Sequence, residues 1–191
     1  KRYEKASLSP IGIIEMSRGC IFRCSYCALN KYNHEFHARN AESVISEVDY
    51  LLEHGVIEFH LIDPTFGIDH DAADIFLEQL TLRKRTYPKL RIEMLTRPEY
   101  INADFAGKLS KAGVWRCGIG METMDGPMLK SVSKTLQPKK VLDAVSILST
   151  AGIQIKLFLF LFPSSLSIAT IKFLLELCDR NIDFVIQSSF M

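Results

Sequence analysis

The sequence predicts an α/β fold of parallel strands, and two observations carry that expectation. Helical patterns end four times in glycine or asparagine with an apolar run directly behind: His54-Gly55-Val56-Ile57, Ala112-Gly113-Val114-Trp115, Ala151-Gly152-Ile153 and Arg180-Asn181-Ile182. Gly and Asn tolerate the left-handed backbone that closes a helix, so each boundary reads as a helix stop feeding a strand. Strand and helix then alternate six times, the pattern of parallel strands joined by right-handed crossovers.

The elements follow in order. The first strand is expected over Ile11–Met16. Asn40 suits an N-cap, with Val44, Val48, Leu51 and Leu52 as the apolar stripe behind it. A second strand covers Val56–Ile62. Asp69 or Asp71 opens the next helix, with Ile75, Phe76 and Leu80 inside. The third strand runs Leu90–Thr96, and Asn102 caps a helix carrying Phe105 and Leu109. The fourth strand is Val114–Met121. Pro138 fits a first helical position, followed by Val141, Leu142, Val145 and Leu148. The fifth strand covers Ile153–Leu161, and Ser167 caps a helix with Ile171, Leu174, Leu175 and Cys178. The sixth strand is Phe184–Phe190, and a sixth helix would lie beyond Met191. Most strands are apolar without strict alternation, which suits strands covered by helices on one face. Six such units either curl into an open barrel or lie flat as a doubly wound sheet, and periodicity does not separate the two. In both, function sits at the C-terminal ends of the strands.

The 191 residues suffice for one sizeable core. Hydrophobic residues make up 48%, and the mean hydropathy is +0.10, a globular composition. With 23 basic and 22 acidic residues the net charge is +1. That balance gives no electrostatic case for bulk nucleic-acid or membrane-surface binding. The most apolar run, Ile153 to Phe162, contains Gln154 and Lys156 and is too short to span a bilayer. The chain opens Lys1-Arg2-Tyr3, with neither an initiator methionine nor a signal-peptide pattern, and we expect a piece of a longer protein. Five unevenly spread cysteines argue against a secreted disulfide framework, so a reducing cytoplasm is the expected compartment.

Three of those cysteines sit together in Cys20-Ile21-Phe22-Arg23-Cys24-Ser25-Tyr26-Cys27. The spacing C-x3-C-x2-C wraps three thiolates around one inorganic core and leaves it one ligand short. A closed structural zinc site takes four protein ligands. An iron–sulfur cluster held by three cysteines keeps one iron open. From spacing alone three readings stand: a cluster, zinc with a fourth ligand from His34 or His37, or three unliganded thiols. Cys117 and Cys178 are read as packing residues.

The run Ser17-Arg18-Gly19-Cys20-Ile21-Phe22-Arg23-Cys24-Ser25-Tyr26-Cys27 resembles the signature loop of radical S-adenosylmethionine enzymes, and Tyr26 matches the aromatic residue usual before the third cysteine. The resemblance extends over nearly the whole chain. It implies a partial (β/α)6 TIM-like barrel over residues 11–191, its last helix missing, preceded by an entry linker over 1–10. It implies a [4Fe–4S] cluster on Cys20, Cys24 and Cys27, with S-adenosylmethionine chelating the open iron through its methionyl amine and carboxylate. One electron would cleave a C–S bond and release a 5′-deoxyadenosyl radical that abstracts hydrogen from a small-molecule or peptide substrate. A reductant such as flavodoxin or ferredoxin is implied as partner, and Tyr26 would lie against the adenine.

Further residues are candidates for holding the nucleotide. The second strand ends His60-Leu61-Ile62-Asp63-Pro64-Thr65, where many relatives carry Gly-Gly-Glu. Asp63 and Thr65 stand near that position, although Asp-Pro is also a plain turn signal. In Arg116-Cys117-Gly118-Ile119-Gly120-Met121-Glu122, glycines at 118 and 120 leave one strand face bare, as close approach of a ligand requires. Glu122 falls on that face and resembles the acid of the family's Gly-x-Glu strand. Arg97 and Lys156 are both candidates for the methionyl carboxylate. The arginine fork is the better fit, and an ion pair is the alternative for Lys156. Glu58 and His60 share a strand face, toward either substrate or a polar patch. The fifth strand's end, Phe160-Leu161-Phe162-Pro163, keeps only the proline of the family's Gly-x-Pro-Gly-Glu.

Glu15-Met16-Ser17-Arg18-Gly19-Cys20 and the entry segment Arg2-Tyr3 through Ser9-Pro10 resemble the cobalamin-associated branch, whose chemistry is often methylation, a transferase reaction. The competing functions are methylthiotransferase-like modification of RNA or protein and a zinc-binding barrel without catalysis.

Overall fold

The computed structural model describes residues 10–29, 35–123, 129–130, 133–134, 136–160, 168–179 and 182–187. In chain order it has β1 (Ile11–Ile14), the two-residue strands β2 (Ser17–Arg18) and β3 (His37–Ala38), α1 (Ala41–Glu53), β4 (Glu58–Leu61), α2 (His70–Thr86) and β5 (Arg91–Thr96). A 3-10 turn (Pro98–Tyr100) leads to α3 (Ala103–Lys111), β6 (Val114–Glu122), α4 (Pro138–Thr150), β7 (Gln154–Phe160), α5 (Ile168–Asp179) and β8 (Asp183–Gln187).

Six strands form one parallel sheet in the order β1-β4-β5-β6-β7-β8. A doubly wound sheet reverses its strand order at a switch point, and this one never does. Winding in one direction puts the helices on one face and leaves the other concave, which is the geometry of a partial barrel. Burial agrees. In β5, Ile92, Met94 and Thr96 are buried under helices, while Arg91, Glu93 and Leu95 face the other side.

The caps explain the helix starts. Asn40 accepts the Ser43 amide at 3.1 Å, Asp69 that of Ala72 at 3.0 Å, and Asn102 that of Phe105 at 2.9 Å. The second helix therefore starts at Asp69 and not at Asp71. Pro138 opens α4. Gly55, Gly113 and Gly152 take φ of +80°, +92° and +75°, the left-handed stops expected of them. Each helix lays a stripe on the sheet: Val44, Val48 and Leu52 from α1, Phe76 and Leu80 from α2, Phe105 and Leu109 from α3, and Val141, Val145 and Leu148 from α4. Burial of each such side chain contributes about 1.5–3 kcal/mol.

Some side chains differ from expectation. Ile75, Leu142, Ile171 and Leu175 are exposed, and so is Cys178. In α5 the residues facing the sheet are Phe173 and Leu177, one turn apart, and Cys178 falls a further 100° round the helix. Cys117 is fully buried as expected, and burial pushes its thiol up to about 12. The strand β1 stops at Ile14 because the Met16 amide turns away to the carboxylate of Asp63. Ser167, Asn181, His34, Pro163 and the entry segment through Ser9 lie outside the described residues.

Near the N-terminal ends of the strands, the concave face carries a charge ladder. Arg91 pairs with Glu58 at 2.6 Å, and Glu93 meets His60 at 3.6 Å, Arg116 at 3.4 Å and Lys156 at 3.9 Å. Arg116 also reaches Asp183 at 3.8 Å. Glu58 and His60 thus form part of a cross-strand polar lattice.

Candidate cofactor site

The cysteine segment is an excursion with a tied base. The β2–β3 ribbon pairs Ser17 with Ala38 and Arg18 with His37, closing the chain on either side of it. Asp63, just past β4, accepts the Met16 amide at 2.7 Å and the Ser17 hydroxyl at 2.5 Å. Burial raises the Asp63 pKa against the opposing pull of these two donors. Asp63 therefore serves as the clamp at the root of the loop and does not line the pocket above it.

That pocket, about 260 Å³, lies at the C-terminal ends of β4, β5 and β6. Cys20, Cys24 and Cys27 all line it, and the two bare glycines of β6, Gly118 and Gly120, also border it. Neither glycine has room for a methyl group. A Cβ at Gly118 would strike Leu95 and come within 2.9 Å of Phe158, and at Gly120 it would lie 2.5 Å from Glu122 Oε1 and 2.8 Å from Lys134 Nζ. The absence of a side chain at both positions is what lets those neighbours pack against the strand beside the pocket.

Glu122 ends β6 where the register with β7 shifts, and it takes φ of +67°. For a non-glycine residue that conformation costs about 1–3 kcal/mol and must be held by its surroundings. Contacts from Tyr26 and Lys134 hold it. The Tyr26 hydroxyl donates to Glu122 Oε1 at 2.8 Å, and Lys134 Nζ lies 2.7 Å from the same oxygen. Lys134 also donates to the Gly120 carbonyl at 2.9 Å. Burial, and then the charge of Glu122, raise the Tyr26 pKa, so the phenol stays neutral and remains a donor. Tyr26 couples the cysteine loop to the end of β6.

Arg97 follows β5 directly. Its Nη1 donates to Cys24 Sγ at 3.8 Å and its Nη2 to Glu99 at 2.5 Å, while the guanidinium stacks on Phe22 with its centre 3.7 Å from the ring centroid. Burial opposes its charge, but Glu99 and, after it, Cys24 together outweigh that and hold the pKa above its ordinary value. Nε is buried with no hydrogen-bond partner among the described residues. The Thr65 hydroxyl lies 3.9 Å from Cys20 Sγ and donates to the Pro64 carbonyl.

The pocket thus gathers Cys20, Cys24, Cys27, Tyr26, Thr65, Arg97, Gly118, Gly120 and Glu122 of the residues singled out from sequence. Lys156 stays outside, its ammonium facing Glu93 in the ladder. Lys134 was missed: it lies in a stretch without periodicity, and nothing local signals that it folds back under β6. Phe22 was also missed as the platform for Arg97.

The donor chemistry fits a cluster. Three thiols share a pocket with the glycines of β6, and the Arg97 guanidinium beside Cys24 is a donor suited to a thiolate. Among the described residues, no three His, Cys, Asp or Glu side chains, the three thiols included, are gathered closely enough to hold a single ion. His37 is exposed, pairs with Glu35 at 3.2 Å and does not line the pocket.

The profile of the radical SAM superfamily matches residues 14–174. An uncharacterized methyltransferase of Pyrococcus horikoshii is 26% identical over 97% of this chain and 41% of its own length. The hopanoid C-3 methylase of Methylococcus capsulatus is 24% identical over 85% of this chain and 31% of its own. The chain therefore spans well under half the length of these relatives. The radical S-adenosylmethionine methyltransferase TsrM from Kitasatospora setae, solved with cobalamin and a [4Fe–4S] cluster bound, superposes with a TM-score of 0.79 at 20% identity, covering 93% of this chain and 37% of that one. With the profile covering most of its length, the chain is an enzyme domain belonging to the radical SAM superfamily.

Proposed function

We propose that residues 11–191 form the catalytic barrel of a cobalamin-assisted radical SAM methyltransferase, with residues 1–10 as the linker from a preceding domain. Cys20, Cys24 and Cys27 hold the [4Fe–4S] cluster and leave one coordination position for S-adenosylmethionine. When bound and reduced, the cluster supplies the electron that cleaves the sulfonium C–S bond. The chain's own residues position and shield. Gly118 and Gly120 let Leu95, Phe158, Glu122 and Lys134 pack close against β6 at the edge of the pocket, and Tyr26 would cover the nucleotide from the cysteine loop. Glu122 and Lys134 offer an acid and an ammonium to the polar ends of the cofactor. Asp63 keeps the loop rooted.

The carrying observation is that the three thiols and Gly118, Gly120 and Glu122 of β6 border one pocket although about 90 residues separate them in sequence. The methyl-transfer reading draws support from the two relatives named above as a methyltransferase and a methylase, each aligned over most of this chain. The cobalamin reading draws support from the bound cobalamin of TsrM. The substrate is a small molecule or peptide, and a flavodoxin or ferredoxin supplies electrons.

Anaerobic reconstitution followed by incubation with S-adenosylmethionine and dithionite tests the reading. We expect 5′-deoxyadenosine from the wild type and none from Cys24→Ala. Equal product from both would remove the cysteine loop from the chemistry. S-adenosylhomocysteine that forms only when cobalamin is added would support methyl transfer. Its formation without cobalamin would overturn the cobalamin reading and keep methyl transfer, and its absence with cobalamin and substrate extract would oppose methyl transfer.

A further inference from the structure

Arg97 is held in a way that suits neither a surface cation nor a free carboxylate clamp. One terminal nitrogen of its fork faces Cys24 Sγ at 3.8 Å and the other meets Glu99 at 2.5 Å. Its plane rests on Phe22, which belongs to the cysteine loop itself, between Cys20 and Cys24. Only 9% of the side chain is exposed, and Cys24 is buried beside it. Stacking, pairing and burial together fix a positive charge against one sulfur of the loop.

We propose that Arg97 is a positioning residue that acts through Cys24 to set the reduction potential of the cluster, with Glu99 as its counterweight. The inference rests on the cluster reading given above. Adding an electron places more negative charge on the cluster and its sulfurs. A cation with an N–H aimed at one of those sulfurs stabilises the reduced form more than the oxidised one, so the potential rises. Solvent screens the charge weakly in so buried a position. Glu99 offsets part of it, so the pair sets an intermediate potential. Lysine cannot replace the arrangement, because a point charge has no plane to stack and no second nitrogen to bridge to Glu99.

The test uses the full-length protein, reconstituted anaerobically, with iron and sulfide content measured beside an EPR-monitored redox titration. At the wild-type midpoint, the ratio of reduced to oxidised cluster in Arg97→Met is expected to fall about tenfold, a negative shift of about 59 mV for a one-electron couple. Glu99→Gln shifts the midpoint in the opposite direction, and Arg97→Lys lies between wild type and Arg97→Met. A merely structural role for Arg97 predicts lost iron without these opposite signs. If Arg97→Met fails to take up iron, Arg97→Lys and Glu99→Gln decide the matter by the same signs. Wild-type midpoints in variants that carry full iron overturn the inference and leave the cluster reading standing. A wild-type protein that binds no iron and sulfide overturns both.

Discussion

The Glu122–Lys134 pair offers the sharpest energetic test. Both side chains are nearly sealed from solvent, at 7% and 3% exposure, with 2.7 Å between their charged atoms. Lys134→Met leaves the Glu122 carboxylate buried with the Tyr26 hydroxyl as the remaining described donor. Stranding one member of a buried ion pair costs about 3–5 kcal/mol. With a urea m-value of about 2 kcal/mol/M, that lowers the unfolding midpoint by roughly 1.5–2.5 M. Glu122→Gln strands Lys134 and costs a similar amount. The double variant Glu122→Gln/Lys134→Met removes both charges, so it should lie within about 1–2 kcal/mol of wild type, far from the sum of the singles. Urea titration of the anaerobic apoprotein by circular dichroism reads all four corners of the cycle. A Lys134→Met shift below roughly 0.5 M, or a double variant equal to the sum of the singles, would mean that the two charges do not depend on each other.

Four further outcomes follow from the geometry. Asp63→Ala leaves the Met16 amide and Ser17 hydroxyl buried without their acceptor and should cost about 2–4 kcal/mol by urea unfolding. Because burial raises the Asp63 pKa, the folded state binds this proton more tightly than the unfolded state. Its contribution to stability is therefore full below the ordinary carboxylate pKa of about 4 and is lost as pH rises through the raised value. Asp63→Asn should flatten that slope, and an unchanged pH–stability profile would contradict it. Gly120→Ala places a methyl group 2.5 Å from Glu122 and 2.8 Å from Lys134, so nucleotide affinity by calorimetry should fall at least tenfold while iron content holds; wild-type affinity would mean that the nucleotide does not approach β6. Tyr26→Phe removes the hydroxyl that donates to Glu122 and should cost about 1–3 kcal/mol by thermal unfolding.

The fold was largely legible because its punctuation is local. Gly55, Gly113 and Gly152 announce their helix stops through backbone conformation alone, and Asn40 and Asn102 announce their caps through side-chain geometry. The choice between barrel and flat sheet was not legible, since it depends on strand order, which no local pattern encodes. The thiols and the bare strand of the site were readable as motifs. Their partners were not. Lys134 reaches Glu122 from a stretch with no periodic pattern, across 12 positions. The fork of Arg97 is committed to Cys24 and Glu99 by tertiary packing, and Asp63 turns toward Met16 and Ser17 rather than the pocket. Alternation along β6 correctly grouped Gly118, Gly120 and Glu122, but it could not foresee the register shift and left-handed backbone at Glu122. Stripe counting in α5 overreached by assigning Cys178 to the core, because a one-residue error rotates a side chain by about 100°.

In the proposed function, three cysteines of one loop hold a cluster and leave it incomplete. Iron and acid-labile sulfide analysis of the anaerobically reconstituted protein tests it most directly, with Cys20→Ala, Cys24→Ala and Cys27→Ala beside the wild type. The account predicts about four irons and four sulfides per wild-type chain and a loss of both in each variant. Stoichiometric zinc without sulfide, or full iron and sulfide in any of the three variants, would contradict it.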